Sequence, residues 1–160
     1  MSINKQIIMK TRPVGMPKLE NFENIENEIP EIRNGEVLIK ILWLSLDPYM
    51  RGRMSTAKSY ASSLNEGDVI VGGAVGRVIK SESKEYKEGD IVEGFTLGWQ
   101  EYAIATPATI RKIDPNLAPI QTAVGVLGMP GMTAFFGLLH VGKPIPGDTV
   151  VVSPASGAVG

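Results

Sequence analysis

Alternating apolar and polar positions dominate the first two thirds of the chain. The clearest alternation predicts a strand over residues 36–46, EVLIKILWLSL, in which Val37, Ile39, Ile41 and Trp43 share one face. From Leu42 onward both faces become apolar, which predicts that the end of this strand is buried by a second layer of protein.

Further short strands are predicted over residues 69–80, 91–95 and 99–105. The first of these is VIVGGAVGRVIK, and glycines inside a strand are typical of bulges or barrel corners. One turn signature recurs, a glycine followed by an acid and then a β-branched strand residue, at Gly35-Glu36, Gly67-Asp68, Gly89-Asp90 and Gly147-Asp148. Short strands separated by such turns, continuing to about Asp114, indicate a small antiparallel β-barrel.

The pattern changes after Pro119. Residues 121–127 and 131–140 lose the period of two and predict two short helices, followed by a turn and a fully apolar strand, TVVV, over residues 149–152. Strands buried on both faces are typical of parallel sheets covered by helices. We therefore predict a β-rich barrel domain over residues 1–120 and the incomplete beginning of an α/β domain over residues 121–160.

Composition narrows the class of protein. Apolar residues make up 43% of the chain, charged residues 21%, and the net charge is −1, which excludes a disordered chain and gives no electrostatic footprint for nucleic acid. No apolar stretch reaches the ~18 residues that span a bilayer, and the N-terminus does not read as a signal peptide, so no membrane partner is expected. The chain has no cysteine, which fits a cytoplasmic setting.

The segment after the TVVV strand carries the first candidate chemistry. Residues 155–160, ASGAVG, form a variant of the G-x-G-x-x-G motif, in which small residues let the backbone approach a pyrophosphate. An ordinary glycine-rich turn is the alternative interpretation.

The second candidate for chemistry lies in the segment that follows the strand predicted over residues 36–46. It reads LDPYMRGR, in which the Tyr49 phenol can donate a hydrogen bond to a carbonyl oxygen, while Arg51 or Arg53 can hold an anion. A structural turn whose arginines pair with surface acids is the alternative. We expect Trp43 and Trp99 to be core residues, and His140, the single histidine, to be structural because zinc needs three or four ligands.

Four stretches together resemble one protein family: DPYMRGRM, GGAVGRV, GMPGMTAFFGLL and VVVSPASGAVG. They are similar to the zinc-independent medium-chain dehydrogenase/reductases, in the branch of leukotriene B4 dehydrogenases, prostaglandin reductases and plant double-bond reductases. The resemblance implies a GroES-like barrel followed by the start of a Rossmann domain. In the zinc-dependent branch a Cys ligand ends the long strand and a His-Glu pair follows; here Asp47 and the Gly72-Gly73 pair stand in those places, so no metal is expected.

The resemblance also implies roles for residues. Tyr49 is expected to act on the substrate oxygen, with Met50 and Arg51 beside it, while the main catalytic tyrosine of the family falls after residue 160. The residues expected to contact NADP(H) are Pro48, Met129, Thr133, Ser156, Gly157, Ala158, Val159 and Gly160. The implied reaction is NADPH-dependent reduction of the carbon–carbon double bond of α,β-unsaturated ketones and aldehydes by the full-length protein, as a homo-oligomer assembled through the second domain.

Two other functions stay open at this point. One is a quinone reductase of the same superfamily, in which hydride goes to a ring. The other is a non-catalytic barrel that binds or scaffolds. The residue that separates NAD from NADP lies about 20 residues after the glycine loop, so the cofactor preference rests on the resemblance alone.

Overall fold

The computed structural model describes residues 3–160; Met1 and Ser2, which open the predicted first domain, lie outside the described residues. The strands and helices in this range are β1 (Ile3–Met9), β2 (Phe22–Glu28), β3 (Val37–Leu44), α1 (Tyr49–Arg53), β4 (Ala74–Ser81), β5 (Ile91–Gly94), β6 (Tyr102–Ala105), β7 (Arg111–Lys112) and α2 (Met129–Phe135). Short 3₁₀ turns cover Leu19–Asn21, Pro107–Thr109 and Ile120–Val124, and a π-helical segment covers Phe136–Gly142.

The strands form two antiparallel sheets. One contains β1 and β2, and the other has the order β6-β3-β4-β5-β7. Strand β1 joins the two sheets, because Ile7 donates its N–H to the Trp99 carbonyl at 2.8 Å and accepts from the Ile70 N–H at 3.0 Å. The prediction of a β-rich, antiparallel first part of the chain is confirmed.

The core lies inside the five-stranded sheet, where alternate residues of each strand point inward. Its buried members are Val37, Ile39, Ala74, Val78, Val92, Leu97, Ala103, Ala105 and Ile110. A second buried cluster, Met9, Met54, Leu64 and Ile70, joins β1 to the end of helix α1. The alternation read from the sequence therefore locates the barrel core.

The recurrent glycine turns are confirmed. Gly35, Gly67, Gly89 and Gly147 all have φ between 87° and 97°, a backbone region that is costly for residues with a Cβ. Gly76 is required for a different reason, because a Cβ there would lie 2.3 Å from Ile39 Cγ2 and 2.6 Å from the Lys40 carbonyl oxygen. The register of β3 and β4 shifts beside it, so this glycine does mark a bulge.

The end of β3 differs from the prediction. Leu42 is 40% exposed and Trp43 50% exposed, so this end is not buried on both faces and Trp43 is not a core residue. The register shift between Ile41 and Trp43 breaks the alternation, and no described element covers this surface. Trp99, by contrast, stacks on Phe22 with ring centroids 6.1 Å apart and packs against the second core cluster.

The helical region begins where the sequence predicted it, after Pro119, but its boundaries differ. The first predicted helix is only a 3₁₀ turn, and α2 begins at Met129 instead of at residue 131. Pro130 lies in the first turn of α2, a position where a missing N–H has no cost, so it starts the helix instead of breaking it.

Residues 149–152, TVVV, do not form a strand in this structure. A strand needs a neighbour for its backbone N–H and C=O groups, and none of the described strands lies beside it. Val150, Val151 and Val152 are 51%, 85% and 49% exposed. The beginning of a Rossmann domain, and the domain boundary near residue 120, therefore stay predictions.

The helices are short. Within residues 3–160 the longest helical segments have seven residues, and none is long and apolar enough to cross a bilayer.

Candidate active site

Helix α1 has two different faces. Met50 and Met54, four residues apart, are 4% and 3% exposed and anchor the helix in the protein interior. Tyr49 and Arg53, also four residues apart, both line a cleft instead. The spacing of apolar and polar residues in DPYMRGRM therefore fixes which side chains reach the cleft.

Two arginines, Arg12 in the N-terminal segment and Arg51 in α1, tie that segment and the helix together. The Arg12 guanidinium donates to the carbonyls of Met54 at 2.8 Å and Leu64 at 2.7 Å, beyond the C-terminal end of the helix. The Arg51 guanidinium donates to the Gly15 carbonyl at 2.8 Å and the Pro13 carbonyl at 3.3 Å. Arg12 had no recognisable signal in the sequence, because its partners are distant backbone carbonyls.

The cleft has a volume of about 540 Å³ and lies between α1 and the segment that contains α2. Its lining residues are Asp47, Pro48, Tyr49, Arg53, Tyr60, Phe95, Thr96, Met129, Pro130, Thr133, Pro154, Gly157, Ala158, Val159 and Gly160. Most sites that bind small molecules or cofactors have volumes of ~300–1,000 Å³. Residues more than 100 positions apart therefore meet in a space of the size that a ligand needs.

The structure brings most of the predicted site residues to this cleft. Those that line it are Pro48, Tyr49, Met129, Thr133, Gly157, Ala158, Val159 and Gly160. Three do not: Met50 is buried beneath α1, Arg51 binds backbone carbonyls, and the Ser156 side chain is exposed away from the lining. The sequence did not single out Tyr60, Phe95, Thr96, Pro130 or Pro154, whose positions depend on how the loops fold back.

The electrostatic environment raises the pKa of the Tyr49 phenol. Burial raises its pKa above the ordinary value, and the nearby Asp47 carboxylate adds to the rise, while the backbone of Gly73 and the Arg53 guanidinium oppose it. The net effect is a raised pKa, so the hydroxyl keeps its proton at neutral pH and can donate a hydrogen bond.

Asp47 and Arg53 are the two charged residues that line the cleft within the described part of the chain. The Asp47 carboxylate accepts a hydrogen bond from the Ser45 hydroxyl at 2.6 Å, which fixes its orientation. The Arg53 Nε donates to the Ser62 carbonyl at 2.5 Å, which fixes the guanidinium at the cleft. Both charges are therefore held in place by other groups before any ligand binds.

The opposite wall is formed by α2. The Thr133 hydroxyl donates to the Met129 carbonyl at 2.8 Å, so it has lone pairs left to accept a hydrogen bond from a ligand. Farther along, His140 lies against the rings of Phe135 and Phe136, at centroid distances of 5.8 and 4.9 Å. This environment is consistent with the structural role expected for it.

Across residues 3–160, no group of three or more His, Asp or Glu side chains is arranged to hold a metal ion.

The cleft does fit the nicotinamide end of a dinucleotide. It combines an apolar wall from Met129 and Pro130, polar groups at Tyr49 and Thr133, and a stretch, Gly157–Gly160, whose small side chains leave the backbone accessible.

Comparisons with known proteins add to this geometry. The sequence model of a protein family described as the N-terminal domain of oxidoreductase matches residues 5–113. The chain belongs to this oxidoreductase family. The match covers the barrel and α1, which holds Tyr49, and it ends before α2.

Among relatives of this oxidoreductase chain, the NADPH-dependent curcumin reductase of Escherichia coli is 43% identical over 98% of the chain and 45% of its own length. The NADP(+)-dependent 2-alkenal reductase of Nicotiana tabacum is 45% identical over 98% of the chain and 47% of its own length. The crystal structure of CurA in complex with NADPH from Vibrio vulnificus matches with a TM-score of 0.89 and 46% identity, over 97% of the chain and 46% of that structure. The chain thus spans less than half of the length of these relatives.

Proposed function

We propose that the full-length protein is an NADPH-dependent reductase of the carbon–carbon double bond of α,β-unsaturated ketones and aldehydes. The observation that carries this proposal is the neutral Tyr49 phenol, which faces Met129, Thr133 and the glycine-rich segment across one cleft. The relatives that share 43% and 45% of its residues are named as reductases of curcumin and 2-alkenals.

When bound, NADPH supplies a hydride to the β-carbon of the enone. Negative charge then develops on the carbonyl oxygen until the α-carbon takes a proton from water. A positioned hydrogen-bond donor at that oxygen stabilises the charge most in the transition state. The Tyr49 hydroxyl is suited to this role, since it is protonated at neutral pH. Arg53, on the same face of α1, adds positive charge to the cleft.

The Met129, Thr133 and Gly157–Gly160 side of the cleft would hold the nicotinamide and its ribose. The Thr133 hydroxyl would accept a hydrogen bond there, because its own proton is engaged with the Met129 carbonyl. Pro48, which precedes Tyr49 and also lines the cleft, would contact the nicotinamide as well. Together these residues would place hydride donor and substrate on facing walls.

The test is a set of NADPH-oxidation assays on the full-length protein, with a medium-chain enone, the saturated ketone of the same length and a benzoquinone. We expect oxidation with the enone, none with the saturated ketone, and no loss of activity after treatment with a chelator. Oxidation with the quinone alone would favour the quinone-reductase alternative, and loss of enone activity to the chelator would contradict a metal-free mechanism.

A further inference from the structure

A buried carboxylate lies where the barrel meets the helical segment. Glu93, on β5, is 6% exposed, although carboxylates are rarely buried without a partner. Arg111 on β7 lies opposite it in the strand register, and the Arg111 Nε donates to the Glu93 carboxylate. The pair thus uses the Nε–H of the guanidinium and leaves its other N–H groups available to donate.

A second nitrogen of the guanidinium contacts the helical segment. The Arg111 Nη2 donates to the Leu127 carbonyl at 3.1 Å. Leu127 is followed by Gly128, the residue that caps the N-terminus of α2. One guanidinium therefore ties the last strand of the barrel to the residues that begin the cofactor wall of the cleft.

The backbone is closely packed around the start of α2, so that only glycine fits at two positions. A Cβ at Gly128 would lie 1.9 Å from the Ala123 carbonyl oxygen, and one at Gly131 would lie 1.8 Å from the Val126 carbonyl oxygen. These close approaches define how the chain turns into α2, while the Arg111 contact fixes that turn against the barrel. Both contacts act on the start of α2, the helix that carries Met129 and Thr133.

We propose that Arg111 is a positioning residue for cofactor binding, because its guanidinium bridges the buried Glu93 carboxylate and the Leu127 carbonyl and so fixes the α2 wall of the cleft. This inference rests on the proposed function, in which that wall holds the nicotinamide. Lysine cannot replace arginine here, since its single ammonium nitrogen does not offer the two separated nitrogens that donate to Glu93 and Leu127.

The neighbouring residue provides a matched control. Lys112, also on β7, pairs with Asp90 at 2.8 Å, and the Asp90 side chain is 12% exposed. The Lys112 ammonium also lies 5.3 Å from the centre of the Tyr86 ring. Neither partner belongs to the α2 wall, so Lys112→Met removes a comparable ion pair from the same strand without touching that wall.

The experiment compares Arg111→Met, Arg111→Lys and Lys112→Met in the full-length protein. For each variant, the melting temperature, the NADPH KM, kcat with an enone, and hydrogen exchange of residues 126–133 are measured. We expect both Arg111 variants to raise the NADPH KM about fivefold, the factor for ~1 kcal/mol from one charge-assisted hydrogen bond at a half-exposed site, with kcat nearly unchanged.

The lysine variant separates positioning from stability. Arg111→Lys retains the charge opposite Glu93, so it should recover most of the melting temperature but neither the NADPH KM nor the exchange protection of residues 126–133. Full recovery of KM by lysine, or an equal rise in Lys112→Met, would overturn the positioning role. A wild-type protein that does not bind NADPH would refute the proposed function instead, and the exchange data would still test whether Arg111 holds residues 126–133.

Discussion

Four side chains of α1 and its C-terminal cap divide between binding and packing: Tyr49 and Arg53 lie on one side, Met50 and Met54 on the other. The two methionines are buried, while the two polar side chains reach the cleft. Burial and the Asp47 carboxylate raise the pKa of the Tyr49 phenol, so it stays protonated and can donate a hydrogen bond. Among the individual residues, Tyr49 therefore offers the most direct test of the proposed hydrogen bond to the substrate oxygen.

Replacement of Tyr49 by Phe in the full-length protein is expected to lower kcat/KM for enones by up to ~100-fold, about 3 kcal/mol for the loss of one oxyanion donor. A second donor elsewhere in the protein would make the loss smaller. The melting temperature should change little, because Tyr49 faces the cleft. Steady-state kinetics on several enones measures the effect, and unchanged kinetics would assign Tyr49 a structural role.

The raised pKa of Tyr49 also predicts a pH profile. Its ordinary pKa is about 10, and a raised value means that the folded protein keeps the phenol protonated to still higher pH. Below pH ~9 the Tyr49→Phe variant should therefore lose activity by a constant factor, with the same profile shape as the wild type. A pH-dependent ratio of the two rates between pH 6 and 9 would contradict the neutral phenol.

For the strands and helices, the sequence predicted the features that depend on residues nearby in the chain. It missed the features that depend on contacts with distant residues. The burial of Val37 and Ile39 on one face of β3, the positive-φ glycines and the bulge at Gly76 follow from local geometry and were predicted correctly. The exposure of Trp43 and the absence of a strand at residues 149–152 depend on whether another layer covers them. Such coverage has no local signal, and the same holds for the contact from Arg111 to Leu127.

Gly76 in β4 provides the test at this scale. Gly76→Ala should lower the free energy of unfolding by about 1–3 kcal/mol, because the added Cβ would overlap Ile39 and the Lys40 carbonyl. Gly52→Ala is the control: its Cβ meets no atom within 4 Å, and alanine in a helix is favoured over glycine by about 0.5–1 kcal/mol. Urea unfolding measures both variants, and equal stabilities would show that the β3–β4 contact is looser than described.

At the scale of the whole molecule, the two ends of the described chain differ in how completely they are packed. The barrel buries its core, whereas Phe135, Phe136, Leu138, Leu139 and the valines of residues 150–152 are 44% to 85% exposed. An apolar surface of this kind normally packs against more protein. The glycine-rich wall of the cleft, residues 157–160, is exposed as well.

The 160-residue chain produced alone is therefore expected not to bind NADPH usefully. The backbone N–H groups of residues 156–160 would have to be ordered on binding, at ~1–2 kcal/mol per residue. Self-association through residues 121–153 is expected as well. Titration with NADPH, together with light scattering, measures both properties, and micromolar binding by a stable monomer would mean that the cofactor site is placed wrongly.

The proposed reduction of the carbon–carbon double bond is tested most directly by finding which carbon of the substrate receives the hydride. The full-length protein is incubated with an enone and NADPH deuterated at C4 of the nicotinamide, on each face in turn, and the product is examined by NMR. We expect a saturated ketone that carries deuterium at its β-carbon when one of the two faces of the nicotinamide is labelled, and no deuterium there when the other face is labelled. An allylic alcohol with deuterium on the carbinol carbon would contradict it.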